Sequence, residues 1–126
     1  MNYLLDTHTL LWYLLDDSKL SAKAHKIIDM EECYYSRVSL WEIAIKQSLG
    51  KLQYKKTIPE IVQMCHDEEF DILPVEDNHF ERLKTLEFIH NDPFDRLLIV
   101  QAQSNNVTII TKDSIISQYD DVRTLW

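Results

Sequence analysis

Five carboxylates from four separated segments are the residues of this sequence best suited to chemistry: Asp6, Glu42, Asp92, Asp95 and Asp113. Like charges brought to one rim repel, so a cation is needed to hold such a group ionised together. A ligand set made only of oxygen suits Mg²⁺ or Mn²⁺ rather than zinc. The five histidines, His8, His25, His66, His79 and His90, show no HxxH or HExxH spacing, which also argues against zinc. A single glycine excludes the glycine-rich loops that cradle phosphates.

Each acid also has a local reading. Asp6 can cap a helix or serve a turn. Glu42 lies three residues after Ser39, the spacing of a capping box. Asp92 is placed to cap a helix, and Asp95 to favour the dipole of its first turn. Asp113, in T-K-D-S, can cap a short helix. No acid is diagnostic alone; their joint placement is what points to a site.

The elements that must position them alternate between strand and helix. Asn2 to Leu5 reads as a buried strand ending at Asp6. Thr7 to Leu15 reads as a helix with Leu10, Leu11, Leu14 and Leu15 on one face and Thr7 as its N-cap. Further helices are expected at Ser21–Met30, Ser39–Leu49, Ile58–Asp67, Asn78–Glu87 and Pro93–Gln103. Gly50 should stop the third helix, and Pro59 and Pro93 suit first turns. Strands are expected at Cys33–Ser36, Phe70–Val75, Val107–Thr111 and Val122–Trp126, with a short helix after Asp113. This alternation predicts an α/β sandwich with a mostly parallel sheet. In such sheets ligands sit outside the carboxyl ends of the strands, where the acids map.

Length and composition bound the rest. The chain's 126 residues fit one domain, 1–126, and its 45% apolar and 27% charged residues are a globular balance. A net charge of −8 makes a polyanion partner non-obvious, so binding one must rest on local charge or on a metal. Local charge exists: Cys33 to Ile58 carries Arg37, Lys46, Lys51, Lys55 and Lys56 against Glu42 alone. Lys46 can meet phosphates from there, and Arg96 can meet a phosphate or pair with Asp92. Glu60 to Asp95 carries eleven acids and two bases, a stretch that repels nucleic acid. Two distant cysteines make no disulfide framework, which favours a reducing cytoplasm. Asp6 interrupts the apolar start and no Lys or Arg precedes it, so a signal peptide is not expected. The apolar run Leu10–Leu15 is too short to span a membrane.

Four motifs then carry a resemblance: L-L-D-T-H-T-L-L-W at Leu4–Trp12, Y-S-R-V-S-L-W-E-I-A-I-K at Tyr35–Lys46, D-P-F-D-R-L-L-I-V-Q-A at Asp92–Ala102 and I-I-T-K-D at Ile109–Asp113. In this order and spacing the chain, from Leu4 to Trp126, resembles the PIN-domain ribonucleases, and most of all the VapC-type toxins of bacterial toxin–antitoxin pairs. The resemblance implies a three-layer α/β/α fold and an acidic pocket for Mg²⁺ or Mn²⁺. Asp6, Glu42, Asp95 and Asp113 match the family's metal-site acids. Asp92 is an extra acid with a supporting or capping role, and Thr111 matches a hydroxyl near the metal. Val100, where related chains often have alanine, should affect packing only.

The implied activity is endonucleolytic cleavage of RNA, tRNA or mRNA, leaving a 3′-hydroxyl and a 5′-phosphate, in a prokaryotic cytoplasm. The implied partners are a cognate antitoxin and a second copy in a homodimer. The antitoxin would lay a helix into an apolar groove near Trp12, Tyr13 and Trp41. A non-cleaving PIN-like binding module is the alternative; the complete acid set argues against it. An Asp6 phosphotransferase would want a second aspartate two residues on, and that position is His8.

Overall fold

The computed structural model describes residues 2–126. In chain order the elements are β1 (Asn2–Leu5), α1 (Thr7–Leu14), α2 (Ala22–Met30), β2 (Glu32–Ser36), α3 (Arg37–Ser48) and α4 (Ile58–Asp67). They continue with β3 (Asp71–Leu73), α5 (Asp77–Leu83), α6 (Pro93–Asn105), β4 (Thr108–Ile110), a 3₁₀ turn at Ile116–Gln118, and β5 (Thr124–Leu125).

The strands form one parallel sheet in the order β3-β2-β1-β4-β5. Parallel pairing requires long crossovers, and the helices supply them on both faces. Side chains alternate across a strand, so each central strand feeds two cores. Tyr3 and Leu5 enter one core with Leu10, Leu11, Ala24, Ile28, Leu40, Ile43 and Ile61. Leu4 enters the other with Leu97, Leu98, Ile99 and Ala102 of α6. Ile109 and Ile110 divide in the same way. Burial on both faces is why β1 carries Tyr3-Leu4-Leu5 and β4 Ile109-Ile110 without an apolar–polar alternation. The result is the expected three-layer sandwich. Cys33 and Cys65 are buried free thiols, and burial pushes each up to about 12, so they act as apolar filler. Among the described residues, no helix is long and apolar enough to cross a membrane.

Several boundaries differ from expectation, each for a local reason. Asp6, not Thr7, caps α1: its carboxylate accepts the N–H of Thr9. α3 begins at Arg37 directly from β2, and Ser36 caps it by accepting the N–H of Val38. Ser39 is therefore inside the helix, buried, and accepts the Thr7 hydroxyl. The Ser39–Glu42 capping box does not form, and Glu42 falls in the second turn with its carboxylate free to point elsewhere. A capping box does form at Thr57 and Glu60 of α4. α5 ends at Leu83, short of Glu87, and residues 84–92 cross to α6 as a loop. β3 stops before Pro74, which has no N–H to give a neighbouring strand. Gly50 follows α3 with φ +67°, the left-handed stop expected of it.

The strand order reverses between β1 and β4. β1 leads to β2 on one side, and the later strands β4 and β5 are laid on the other. Such a switch point opens a crevice at the carboxyl ends of the two strands.

Candidate metal centre

Asp6 stands at the end of β1, in that crevice, and is 6% exposed. Its Oδ1 accepts Thr9 N–H at 2.9 Å, and its Oδ2 accepts the Thr111 hydroxyl from just beyond β4. Thr9 also donates its hydroxyl to Ile110 O at 2.9 Å, fastening the start of α1 to β4. Burial pushes the Asp6 carboxyl above its ordinary range, against the pull of the Thr111 and Thr9 hydrogen bonds.

Glu42 reaches the same place from α3. It is 4% exposed, and its Oε2 accepts Lys46 Nζ at 2.6 Å from one turn further on. Its Oε1 is buried and has no hydrogen-bond partner among the described residues. A buried acceptor without a partner is costly, and a cation would satisfy it.

Asp92 caps α6, accepting the N–H groups of Phe94 at 2.8 Å and Asp95 at 3.2 Å through Oδ1. Asp95, three residues on, is pushed up to about 7 from an ordinary carboxylate value. Burial is the chief cause, followed by the charges of Asp92 and Asp6. Asp113 comes from the loop after β4. Its N–H donates to Thr111 Oγ1 at 3.0 Å, and its Oδ1 accepts Ile115 N–H at 2.9 Å.

All five acids line one small cavity of about 100 Å³, with Lys46, His8 and Trp12 at its walls. Lys46 is thus both a wall of the cavity and the ion-pair partner of Glu42. Thr111 lies beneath, buried, tying Asp6 to Asp113. His8 stacks on Trp12 at the rim, with ring centroids 5.5 Å apart. The donor set passes a chemical test for a hard divalent cation. It holds several carboxylates, one buried oxygen without a partner, and two acids, Asp6 and Asp95, whose ionised forms burial disfavours.

Arg96 is the exception among the candidate residues. It is 6% exposed and does not line the cavity. Its guanidinium donates to Leu86 O at 3.0 Å, Glu87 O at 2.9 Å and His90 O at 3.1 Å, and lies over the Phe88 ring. Among the described residues the guanidinium makes no ion pair with Asp92; only the backbone N–H of Arg96 meets that residue, donating to Asp92 O at 2.9 Å. One residue along a helix is a rotation of about 100°, so Asp95 facing the cavity turns Arg96 away from it.

Two residues escaped the sequence reading. Lys112, between Thr111 and Asp113, lines the cavity. His90 sits against the acids, with Nε2 2.8 Å from Asp113 Oδ2 and 3.2 Å from Asp95 Oδ2. The only local signal was the position of His90 two residues before a helix cap, in H-N-D-P.

A parallel sheet whose switch-point crevice gathers acids from β1, α3, α6 and the β4 loop is the architecture of a PIN-type domain. The PIN domain family model matches residues 3–122, and the chain belongs to that family. Among solved structures, the chain is similar to VapBC2 from Rickettsia felis bound to a DNA fragment from their promoter. That match has a TM-score of 0.72 and 14% identity, and covers 100% of this chain and 99% of the other. DNA-bound VapBC from Salmonella typhimurium aligns with TM-score 0.69 and 14% identity over 99% and 97% of the two chains. FitAcB from Neisseria gonorrhoeae aligns with TM-score 0.66 and 16% identity over 98% and 96%. At these identities the likeness is one of fold. No curated protein matches the chain.

Proposed function

We propose that this protein is a Mg²⁺- or Mn²⁺-dependent endoribonuclease that acts, as one domain over residues 1–126, as the toxin of a toxin–antitoxin pair. The observation that carries the reading is the cavity of five acids in which a buried oxygen of Glu42 has no partner. Asp6, Glu42, Asp95 and Asp113 hold the ion, and Asp92 supports them while capping α6. When bound, the ion lowers the pKa of a water nucleophile and relieves charge on the phosphodiester.

The chain's own groups do the remaining work. Thr111 and Thr9 fix the Asp6 carboxylate, so its free lone pairs face the cavity. Asp95, pushed up to about 7 by burial and by Asp92 and Asp6, would give its proton to solvent when a cation binds beside it. Lys46 and Lys112 bring positive charge to a mouth that would otherwise repel RNA. Membership of the PIN family and the fold shared with VapBC and FitAcB structures support the toxin reading. By the same reasoning the partners are an RNA substrate, tRNA or mRNA, a cognate antitoxin and a second copy, in a prokaryotic cytoplasm. Trp41, 57% exposed and edge-on to Phe94, supports a protein interface on the α3–α6 side.

The test is incubation of the pure protein with total RNA, with Mg²⁺ and with excess EDTA. Discrete fragments with the metal and intact RNA with chelator are expected. Undiminished cleavage in EDTA, or none with Mg²⁺ or Mn²⁺, overturns the reading.

A further inference from the structure

His90 is held at four points. Its backbone N–H donates to Tyr119 Oη at 2.8 Å, and its carbonyl accepts Arg96 Nη1 at 3.1 Å. Tyr119 in turn donates its hydroxyl to Glu87 O at 2.7 Å, so Arg96 and Tyr119 grip the same loop from two sides. On the ring, Nδ1 accepts the backbone N–H of Asp92 at 3.0 Å. Nε2 faces Asp113 Oδ2 and Asp95 Oδ2 together. The side chain is 9% exposed.

These contacts assign the tautomer. A proton on Nδ1 would meet the Asp92 N–H head-on, so Nδ1 carries the lone pair. A neutral imidazole then carries its hydrogen on Nε2. That hydrogen points at the Oδ2 atoms of Asp113 and Asp95, each with lone pairs to accept it. His90, Asp95 and Asp113 offer atoms within 4.8 Å of one another, a grouping that could itself pass for a metal-binding trio. The proton on Nε2 occupies the direction a ligand lone pair would need. His90 in this arrangement is a donor to the acids and not a ligand beside them.

From this we infer that His90 is a positioning residue of the metal centre. Its Nε2–H bridges one acid of α6 and one of the β4 loop, and so sets the spacing between two groups that would otherwise repel. Asp95 keeps its second oxygen for the ion, and Asp113, whose Oδ1 also accepts the Ile115 N–H, keeps its remaining lone pairs. Hydrogen bonds that orient ligating groups from outside the ligand set typically change metal affinity by about 10–100-fold. The inference rests on the metal-dependent nuclease reading and adds to it a residue outside the carboxylate set.

The test is Mn²⁺ titration of the full chain by calorimetry at pH 7.5, for wild type, His90→Asn and His90→Gln, with a thermal melt of each. The Asn oxygen can still accept the Asp92 N–H, but the side chain is too short to reach the acids. The Gln amide places an N–H near the Nε2 position and restores the bridge. The expected result is Mn²⁺ affinity about 10–100-fold weaker in His90→Asn, with most of the loss recovered in His90→Gln. Unchanged affinity in a folded His90→Asn overturns the inference. So does equal and complete loss in both variants with wild-type melting temperatures, which is what a direct ligand would give. A wild type that binds no Mn²⁺ removes the metal reading itself, and this inference with it.

Discussion

The Thr111 hydroxyl donates to the buried carboxylate of Asp6 across 105 residues of sequence, joining the end of β4 to the end of β1. The same oxygen accepts the N–H of Asp113. One hydroxyl therefore holds two of the acids that line the cavity. It also supplies part of the stabilisation that lets a carboxylate sit nearly dry at the switch point of the sheet.

Replacing Thr111 with Val should leave an Asp6 oxygen buried without that donor. The cost of such an orphan is about 1–3 kcal/mol. Urea unfolding should show the loss, and RNA cleavage should fall with it. Thr111→Ser keeps the hydroxyl and should retain most of both. Equal stability of the Val and Ser variants would mean that the hydroxyl does not support Asp6.

The acids should separate into two groups. Asp6→Asn, Glu42→Gln, Asp95→Asn and Asp113→Asn should each lower cleavage on the order of 10²-fold or more, because each weakens the ion's hold. Asp92→Asn should cost less, since Asn also caps a helix well. Rates on one defined RNA at saturating Mg²⁺ decide this. A dead Asp92→Asn beside an active Asp95→Asn would exchange the two assignments.

Asp95 gives the metal-free protein a pH dependence of predictable sign. In the fold its carboxyl is pushed up to about 7 from an ordinary value of 3.8. Between those values the folded state binds the proton and the unfolded state does not, so stability falls as pH rises through that window and levels off above it. Thermal melts in EDTA should therefore give a higher melting temperature at pH 5 than at pH 8 from this group. Asp95→Asn should flatten that difference, and without metal at pH 8 it should melt at or above the wild type. If Mg²⁺ occupies the site it binds only the folded form, so it should raise the wild-type melting temperature with concentration, and that of Asp95→Asn less. An unchanged pH profile in Asp95→Asn would show that another group carries the dependence.

Arg96→Lys should behave as a structural lesion with a functional echo. A lysine cannot reach three carbonyls in a fixed fork, so the loop from Leu86 to His90 should loosen. The melting temperature should drop, and Mn²⁺ affinity should weaken because His90 moves with the loop. An arginine that met substrate phosphate would give the opposite pattern: intact stability and metal binding, with KM alone raised. Calorimetry and steady-state kinetics on the same preparation separate the two.

Much of the architecture was legible in the chain because its signals are short-ranged. Alternation of apolar strands with 3.6-period helices is a local property, and it predicts a parallel sheet flanked by helices. The cap at Asp92 and the stop at Gly50 are equally local. Acids placed just after strands or at helix starts are carried to the carboxyl edge by the fold class itself. That is why Asp6, Asp92, Asp95 and Asp113 could be placed at one rim before any contact was known.

What the sequence could not decide is direction and distance. Whether α3 starts at Arg37 or Ser39 depends on how β2 runs into it, and that choice released Glu42 from a cap and turned it into the cavity. The helical phase of α6 sends Asp95 inward and its neighbour Arg96 to the carbonyls of a loop. His90 meets Asp113 across 23 residues, and only the grip of Arg96 and Tyr119 on that loop brings it there. Such contacts arise from the packing of irregular backbone against helices, which leaves no period in the sequence. The residue types therefore came from the chain, and their convergence on one cavity from tertiary packing alone.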